Sequence, residues 1–323
     1  MIKTFHCVVS AVAFSLGLAG TAAGAQDYPN QPLRVLVGFS AGGPTDIVAR
    51  VMAQGMSEEL GVPLVVENKP GAGGNIGATE AKLAKPDGYT LFFAGSNHTI
   101  NAGMYEHLPY DPVQDFEAVS IVAEAPSVMV ARPDFPADDA KGLMQLLKDK
   151  PDSFAIATAG GGQLQAHQFM SATSTSMIDV PYKGAAPAII DLAGGHVDLS
   201  LATLGSVLPQ IKAGQVKAIA AAAPERSALL PDVPTFEEQG YPGIYMGSWY
   251  GLLVPKGTPK ASIDKLAAAV RKVAGSDGFR EKLAAAGLAP VTSIDAERFA
   301  QIIQDETGLY RKIGQVLRSA ASK

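Results

Sequence analysis

Residues 35–50, VLVGFSAGGPTDIVAR, decide the fold. The apolar run stops at Phe39, turns through Ala41-Gly42-Gly43 and enters a helix near Pro44. Proline has no N–H to lose at the first helical position, and its fixed φ suits a helix start. Gly42 and Gly43 let the backbone approach a ligand closely. The unpaired N–H groups of a first helical turn, with the positive end of the helix dipole, favour an anion there. The same design returns in residues 154–167, FAIATAGGGQLQAH, where a β-rich stretch passes through Gly160, Gly161 and Gly162 into a helical pattern. Two anion cradles in two halves of one chain predict a receptor that closes on a carboxylated solute.

Around these two turns, β-rich runs at 33–38, 64–67, 90–94, 154–158, 179–182, 197–201 and 216–223 alternate with helical stretches. The helix expected over 46–60 ends at Gly61 and Pro63, as a helix stop should. Further helices are expected over 186–193, 204–213, 262–274, 279–286 and 296–318. This rhythm predicts an α/β protein with mainly parallel sheets flanked by helices. Residues 119–130, interrupted by Pro126, and 245–253 read as strands on which the chain crosses between halves. Residues 26–125 and 250–323 are then expected to form one lobe and 126–249 the other, with a hinged cleft between them.

The N-terminus supplies the compartment. Lys3 precedes an almost wholly apolar run at 7–19, and Ala23-Gly24-Ala25 offers small residues for cleavage, so residues 1–25 read as a secretory signal peptide. The apolar run is shorter than the ~20 residues that span a bilayer. No lipoprotein-type context surrounds Cys7, so no direct membrane anchor is expected and the protein is placed in the periplasm. Cys7 is the single cysteine. It leaves with the signal, which excludes a disulfide, a thiolate metal site and a thiol nucleophile. With 47% hydrophobic residues over 323 positions, the chain has enough core for one large or two medium domains. A formal net charge of −5 with no basic block argues against nucleic acid as a partner. An anionic ligand must therefore be held by local dipoles.

In the first turn, Phe39, Ser40, Ala41, Gly42, Gly43 and Thr45 are the candidate ligand contacts. Asp46 stands where a carboxylate reaches back to a helix start, and is read as the organiser of the loop. In the second half the candidates are Thr158, Gly160, Gly161, Gly162, Gln163 and His167, joined by Tyr182 and Lys183 from the 180–184 turn. Asn97, in Ser96-Asn97-His98 after the 90–94 strand, is expected to line the cleft from the first lobe. The glycine-rich stretch 71–77, GAGGNIG, fails the dinucleotide pattern because Ile76 stands where the third glycine belongs; it reads as a flexible loop. G-x-S-x-G, H-E-x-x-H and P-loop patterns are missing and the five histidines are scattered, so no catalytic residues, metal or cofactor are assigned.

In order along the chain, FSAGGPTD, ENKPGAGGNIG, AKPDGYTL, YDPVQDFEAV, DVPYKGAAPAIIDLAGGHVDL and LLPDVPTFEEQG resemble the successive signatures of the tripartite tricarboxylate transporter receptors, also called the Bug family of solute-binding proteins. The resemblance implies two α/β lobes of the type II periplasmic binding protein fold. It also implies a carboxylated ligand in the cleft, held largely by backbone amides and ordered waters. By position, the family's ligand loops fall on residues 39–46 and 158–167, with Tyr182-Lys183-Gly184 nearby. The chain departs from the family's pattern at Ala41, where proline is frequent, and at Gly160-Gly161-Gly162, where serine is mixed with glycine.

The expected function is therefore that of a monomeric periplasmic receptor for a small mono- or dicarboxylate. Its expected partners are the subunits of a tripartite membrane transporter, or a sensor domain. Two rivals stand beside it: an exported α/β hydrolase or isomerase acting on a carboxylated substrate, and an interaction protein whose cleft is vestigial. Backbone donors recognise a carboxylate as such, so the identity of the acid is left open at this level.

Overall fold

The computed structural model describes residues 28–159, 161–291 and 295–321; the signal assigned to residues 1–25 and Gly160 lie outside them. The first turn unit is β1 (Leu33–Val37) running into α1 (Pro44–Leu60). It continues through β2 (Leu64–Asn68), α2 (Asn75–Lys82), β3 (Thr90–Gly95) and α3 (Asn97–Met104). After β4 (Phe116–Ala131) and α4 (Ala140–Asp149), the second unit repeats the rhythm as β5 (Ala155–Ala159), α5 (Gly162–Thr173), β6 (Ile178–Tyr182), α6 (Ala185–Ala193), β7 (Leu199–Thr203), α7 (Leu204–Lys212) and β8 (Lys217–Ala222). The chain then returns on β9 (Gly247–Pro255) and finishes with α8 (Lys260–Ala274), α9 (Asp277–Ala285), β10 (Ala289–Pro290) and α10 (Ala296–Ala321).

β1 pairs in parallel with β2 and β3, and β5 pairs in parallel with β6 and β7. Each antiparallel ladder among the described residues involves β4 or β9. The sheets are thus parallel inside each half, as the alternation predicts, while the whole is mixed. The reason is geometric: a strand that leaves one half and a strand that returns to it run in opposite directions. The hydrogen-bonded path is β2-β1-β3-β9-β4-β7-β5-β6.

β4 runs unbroken through Pro126, which the sequence marks as an interruption. Residues 116–126 pair with β9, whereas 127–131 pair with β7 and β8. Pro126 sits opposite Gly247 at the place where the partner strand changes, and Ser127 N donates to Met246 O at 2.9 Å. A missing N–H is tolerated where one ladder ends and the next begins.

Side-chain alternation then sorts the core. In the first half Val35, Val37, Phe93, Leu252 and Val254 face one layer with Met52, Met56, Leu266 and Val270, while Leu36, Phe92, Leu253 and Ile121 face the opposite layer with Phe299 and Ile303. The second half repeats this, with Met129, Ile156, Leu199 and Leu201 packed on Phe169 and Leu143, and Val128, Val130, Ala157 and Ala202 packed on Ile189 and Val207. Strands buried on both faces read as continuous apolar runs. Each fully buried aliphatic side chain contributes about 1.5–3 kcal/mol. Among the described residues no helix is long and apolar enough to cross a membrane.

The stretch 71–77 is a packing joint instead of the flexible loop expected. Ala72–Gly74 forms a single 3-10 turn that leads into α2. A Cβ on Gly77 would lie 2.8 Å from Gly38 Cα, and one on Gly38 would lie 2.8 Å from both Gly74 Cα and Gly74 O. The end of β1 and the start of α2 therefore touch backbone to backbone. Gly77→Ala is expected to lower stability by about 1–3 kcal/mol, the usual cost of overpacking. Gly308→Ala, inside α10 with no atom within 4 Å of the added Cβ, should instead stabilise by up to about 1 kcal/mol. Parallel urea melts of the two variants check this: equal shifts of both would contradict the backbone contact.

Candidate functional site

β5, β6 and β7 run in the same direction, so α5, α6 and α7 all begin at one edge of the second half. That edge borders a cavity of about 370 Å³. Gly161 and Gly162 of α5, Gly184 and Ala185 of α6, and Thr203 and Ser206 of α7 lie in its wall. Asn97 and Ile100 of α3 close it from the first half, and Ser248 of β9 borders it where the chain returns. The starts of α3, α5, α6 and α7 carry no side-chain cap. Outside the cavity wall α4 and α9 are capped by Asp139 and Ser276, while α1, α2 and α8 are uncapped as well. Uncapped first turns leave N–H donors for a ligand, and each helix end adds about +0.5 of an elementary charge. Ile100, Ala188, Ile189 and Leu201 supply an apolar patch, and among the described residues the wall holds no acidic, histidine or aromatic side chain. The arrangement suits an anion with a short aliphatic body.

Of the residues predicted for the second turn, the cavity gathers Gly161, Gly162 and Lys183, with Asn97 opposite. Thr158, Gln163 and His167 converge elsewhere, on Asp179 of β6. Thr158 Oγ1 donates to Asp179 Oδ1 and Gln163 Nε2 to Asp179 Oδ2, both at 2.6 Å, while His167 Nε2 stands 3.9 Å from Oδ2. A mostly buried carboxylate demands donors, and Thr158 and Gln163 supply them. Tyr182 donates to Asp191 Oδ2 at 2.7 Å, and this bond to a carboxylate holds its phenol above the usual range. These four side chains serve the protein's own acids.

The first turn behaves in a similar way. Asp46 Oδ2 accepts from Gly42 N and Arg50 Nε, both at 2.9 Å, and Oδ1 accepts from Asn68 Nδ2 at 2.8 Å. Asn68 also donates to Phe39 O at 2.9 Å, so one carboxylate and one amide fix the whole loop. Gly42 takes φ +86°, a conformation that suits glycine. Phe39 packs its ring over Gly74, Ser40 and Ala41 are exposed, and Gly43 O accepts from Ile47 N to open α1. The buried Thr45 brings its hydroxyl beside Gly95 at the end of β3. Residues 39–46 border the same strand edge of the first half as Asn97 but are not in the wall of the cavity.

His98, next to Asn97, is buried. It stacks on Tyr110 at 5.1 Å and bonds Pro112 O at 3.1 Å; burial pushes its imidazole down to about 4, so it is neutral at physiological pH. Among the wall residues that sequence reasoning missed are Ile100, Gln165, Ser200, Thr203, Ser206 and Ser248. A signal existed for Thr203 and Ser206, because the expected strand 197–201 runs directly into the expected helix 204–213. A wider depression of about 490 Å³ near Tyr105, Asp111 and Arg311 is lined by one half alone and has an acid–arginine pair already closed at 2.9 Å.

Burial alone would raise the Asp46 carboxyl, but Arg50, the Gly42 N–H and Asn68 outweigh it and hold the group below the usual carboxylate range. An acid depressed in the fold adds stability above its unfolded pKa and loses it as pH falls through the folded value. Asp46→Asn is therefore expected to cost about 1–3 kcal/mol at neutral pH. The difference from wild type should begin to shrink as pH falls below the unfolded value of about 3.9 and go on shrinking as pH falls through the lower folded one. Denaturant melts across that range check both the size and the sign.

A model of the "Tripartite tricarboxylate transporter family receptor" matches residues 48–318. BugT of Bordetella pertussis is 34% identical over 322 residues, spanning 96% of this chain and 98% of that protein. Among solved structures, MatC from Rhodopseudomonas palustris with bound malate is 33% identical at TM-score 0.69, covering 89% of this chain and 100% of that one. A second R. palustris protein, with adipate, is 30% identical at TM-score 0.70, covering 90% and 98%.

Proposed function

The chain belongs to the tripartite tricarboxylate transporter receptor family, and from that premise we propose that it is a periplasmic receptor that binds a small organic carboxylate between two lobes and hands it to a membrane transporter. The observation that carries this reading is the meeting of four uncapped helix starts in one cavity whose wall has no acidic side chain. Malate and adipate in the two R. palustris relatives support a carboxylate as the ligand class. The apolar leader at residues 1–25 supports export.

The lobes are residues 26–125 with 250–323, and residues 126–249. Support comes from β4, which changes partner strand between Pro126 and Ser127, and from the return of the chain at Met246 and Gly247. A ligand seated on α5–α7 and on α3 touches both lobes and favours the closed arrangement by its differential affinity. Micromolar affinity requires about 8 kcal/mol net. Charge-assisted hydrogen bonds at about 1.5–3 kcal/mol each supply this from a few main-chain N–H groups after ordering costs.

Calorimetry with malate, succinate, adipate and citrate tests the proposal. At least one acid should bind saturably, be recovered unchanged, and reduce the radius of gyration in small-angle scattering. A ligand at one hundred times its Kd stabilises by about 2.7 kcal/mol, so the same acid should raise the melting temperature. Failure of every acid, or consumption of the bound one, would refute it.

Gly162 gives a sharper check. A Cβ there would meet nothing within 4 Å and would stand in the cavity wall. Gly162→Val should keep the fold, as judged by its melting temperature without ligand, and weaken carboxylate binding at least tenfold.

A further inference from the structure

The polar side chains of the cavity wall differ in whether their donors are already engaged. Ser200 Oγ donates to Ala157 O at 3.0 Å and Gln165 Nε2 to Gly247 O at 2.8 Å. Ser206 Oγ donates to Thr203 O at 2.7 Å, and Thr203 Oγ1 to Ser206 Oγ at 3.1 Å. Those hydroxyl protons are directed at the protein itself. Asn97 of α3, Ser248 of β9 and Lys183 of the second half make no side-chain hydrogen bond or ion pair among the described residues. Among the described residues Lys183 is the wall's one cation, and it immediately precedes Gly184, from which α6 starts.

One carboxylate has about four acceptor sites. The helix-start N–H groups, with Asn97, are enough to fill them. Lys183 is then left over, with no acid in the wall to neutralise it. Charge arithmetic points the same way: three helix ends of the second half at about +0.5 each and one ammonium sum to roughly +2.5 facing the cavity. That field matches two negative charges better than one.

Resting on the carboxylate-receptor reading above, we propose that Lys183 is a specificity-determining residue that pairs with a second carboxylate, so that the receptor selects linear dicarboxylates over monocarboxylates of the same length. In the free protein Lys183 is exposed and hydrated, and a salt bridge there is worth little. Closure around a dianion removes that water and gives the pair its weight.

The test uses calorimetry on the secreted protein with two matched pairs, succinate against butyrate and adipate against hexanoate, for wild type, Lys183→Gln and Lys183→Arg. Wild type should prefer the diacid of at least one pair tenfold or more, about 1.4 kcal/mol. Lys183→Gln should lose at least tenfold for that diacid and less than threefold for its monoacid, while Lys183→Arg keeps most of the preference. Because Lys183 is exposed, unchanged melting temperatures are expected and separate a binding effect from unfolding. Equal losses for diacid and monoacid, or no loss for either, would overturn the assignment of Lys183 and leave the carboxylate reading intact. If wild type bound none of the four acids and none of the acids in the wider panel, both readings would fall together. If it bound only acids with a single carboxylate, Lys183 alone would be misassigned.

Discussion

The sheet changes partners once, inside β4, and the two-part construction depends on how that change is made. Up to Pro126 the strand is bonded to β9; from Ser127 onward it is bonded to β7 and β8. Proline cannot donate to a ladder, and here none is asked of it. Gly247 lies opposite, where a Cβ would come within 2.5 Å of Ala125 O, so the returning strand can approach only without a side chain. An uninterrupted 16-residue strand thus belongs to both halves. Two parallel units are held with the start of α3 and the starts of α5, α6 and α7 on one cavity.

That arrangement sets how a carboxylate is recognised. The protein's own carboxylates, Asp46 and Asp179, are nearly out of solvent and compete for every nearby side-chain donor. Asp179 takes Thr158 and Gln163, while Asp46 takes Arg50 and Asn68. The donors that these acids do not reach are main-chain N–H groups at uncapped helix starts and the side chains of Asn97, Ser248 and Lys183. Main-chain donors at rigid helix ends are already aimed, so little ordering is needed on binding.

The legibility of the sequence follows from the same physics. Glycine turns after apolar strands are local signals, which is why the strands near 33–38, 90–94 and 154–158 and the helix after Pro44 lie within a residue or so of expectation. Helices α2, α3 and α4 escaped. α2 follows glycines that serve packing, α3 carries polar residues whose burial is decided by distant partners, and α4 declares itself mainly by the Asp139 cap. At the site, position along the chain brought Asn97, Gly161, Gly162 and Lys183 to attention. It did not disclose that Thr158, Gln163 and His167 turn toward Asp179, because that carboxylate lies 16 or more residues from Thr158 and Gln163 and approaches them only through β5–β6 pairing.

Glu306 completes this contrast between acids. It sits on α10, and its Oε2 accepts from Thr99 Oγ1 of α3 at 2.7 Å and from Trp249 Nε1 of β9 at 2.9 Å. Burial raises its carboxyl above the usual range; the two neutral donors lower it less, and the nearby Glu124 of β4 raises it further. For an acid whose folded pKa is raised, the cost to stability begins as pH climbs through the unfolded value, about 4.3, and stops growing above the folded one. Asp46, with Arg50 beside it, has the opposite sign. Asp46 is held by Arg50, the Gly42 N–H and Asn68 against its burial, whereas Glu306 has two neutral donors against a larger one. Glu306 ties the long C-terminal helix to the returning strand and to α3, the helix that offers Asn97 to the cavity. An ionisable group there, with only neutral donors, makes this joint less stable at neutral pH than an apolar contact of the same size would.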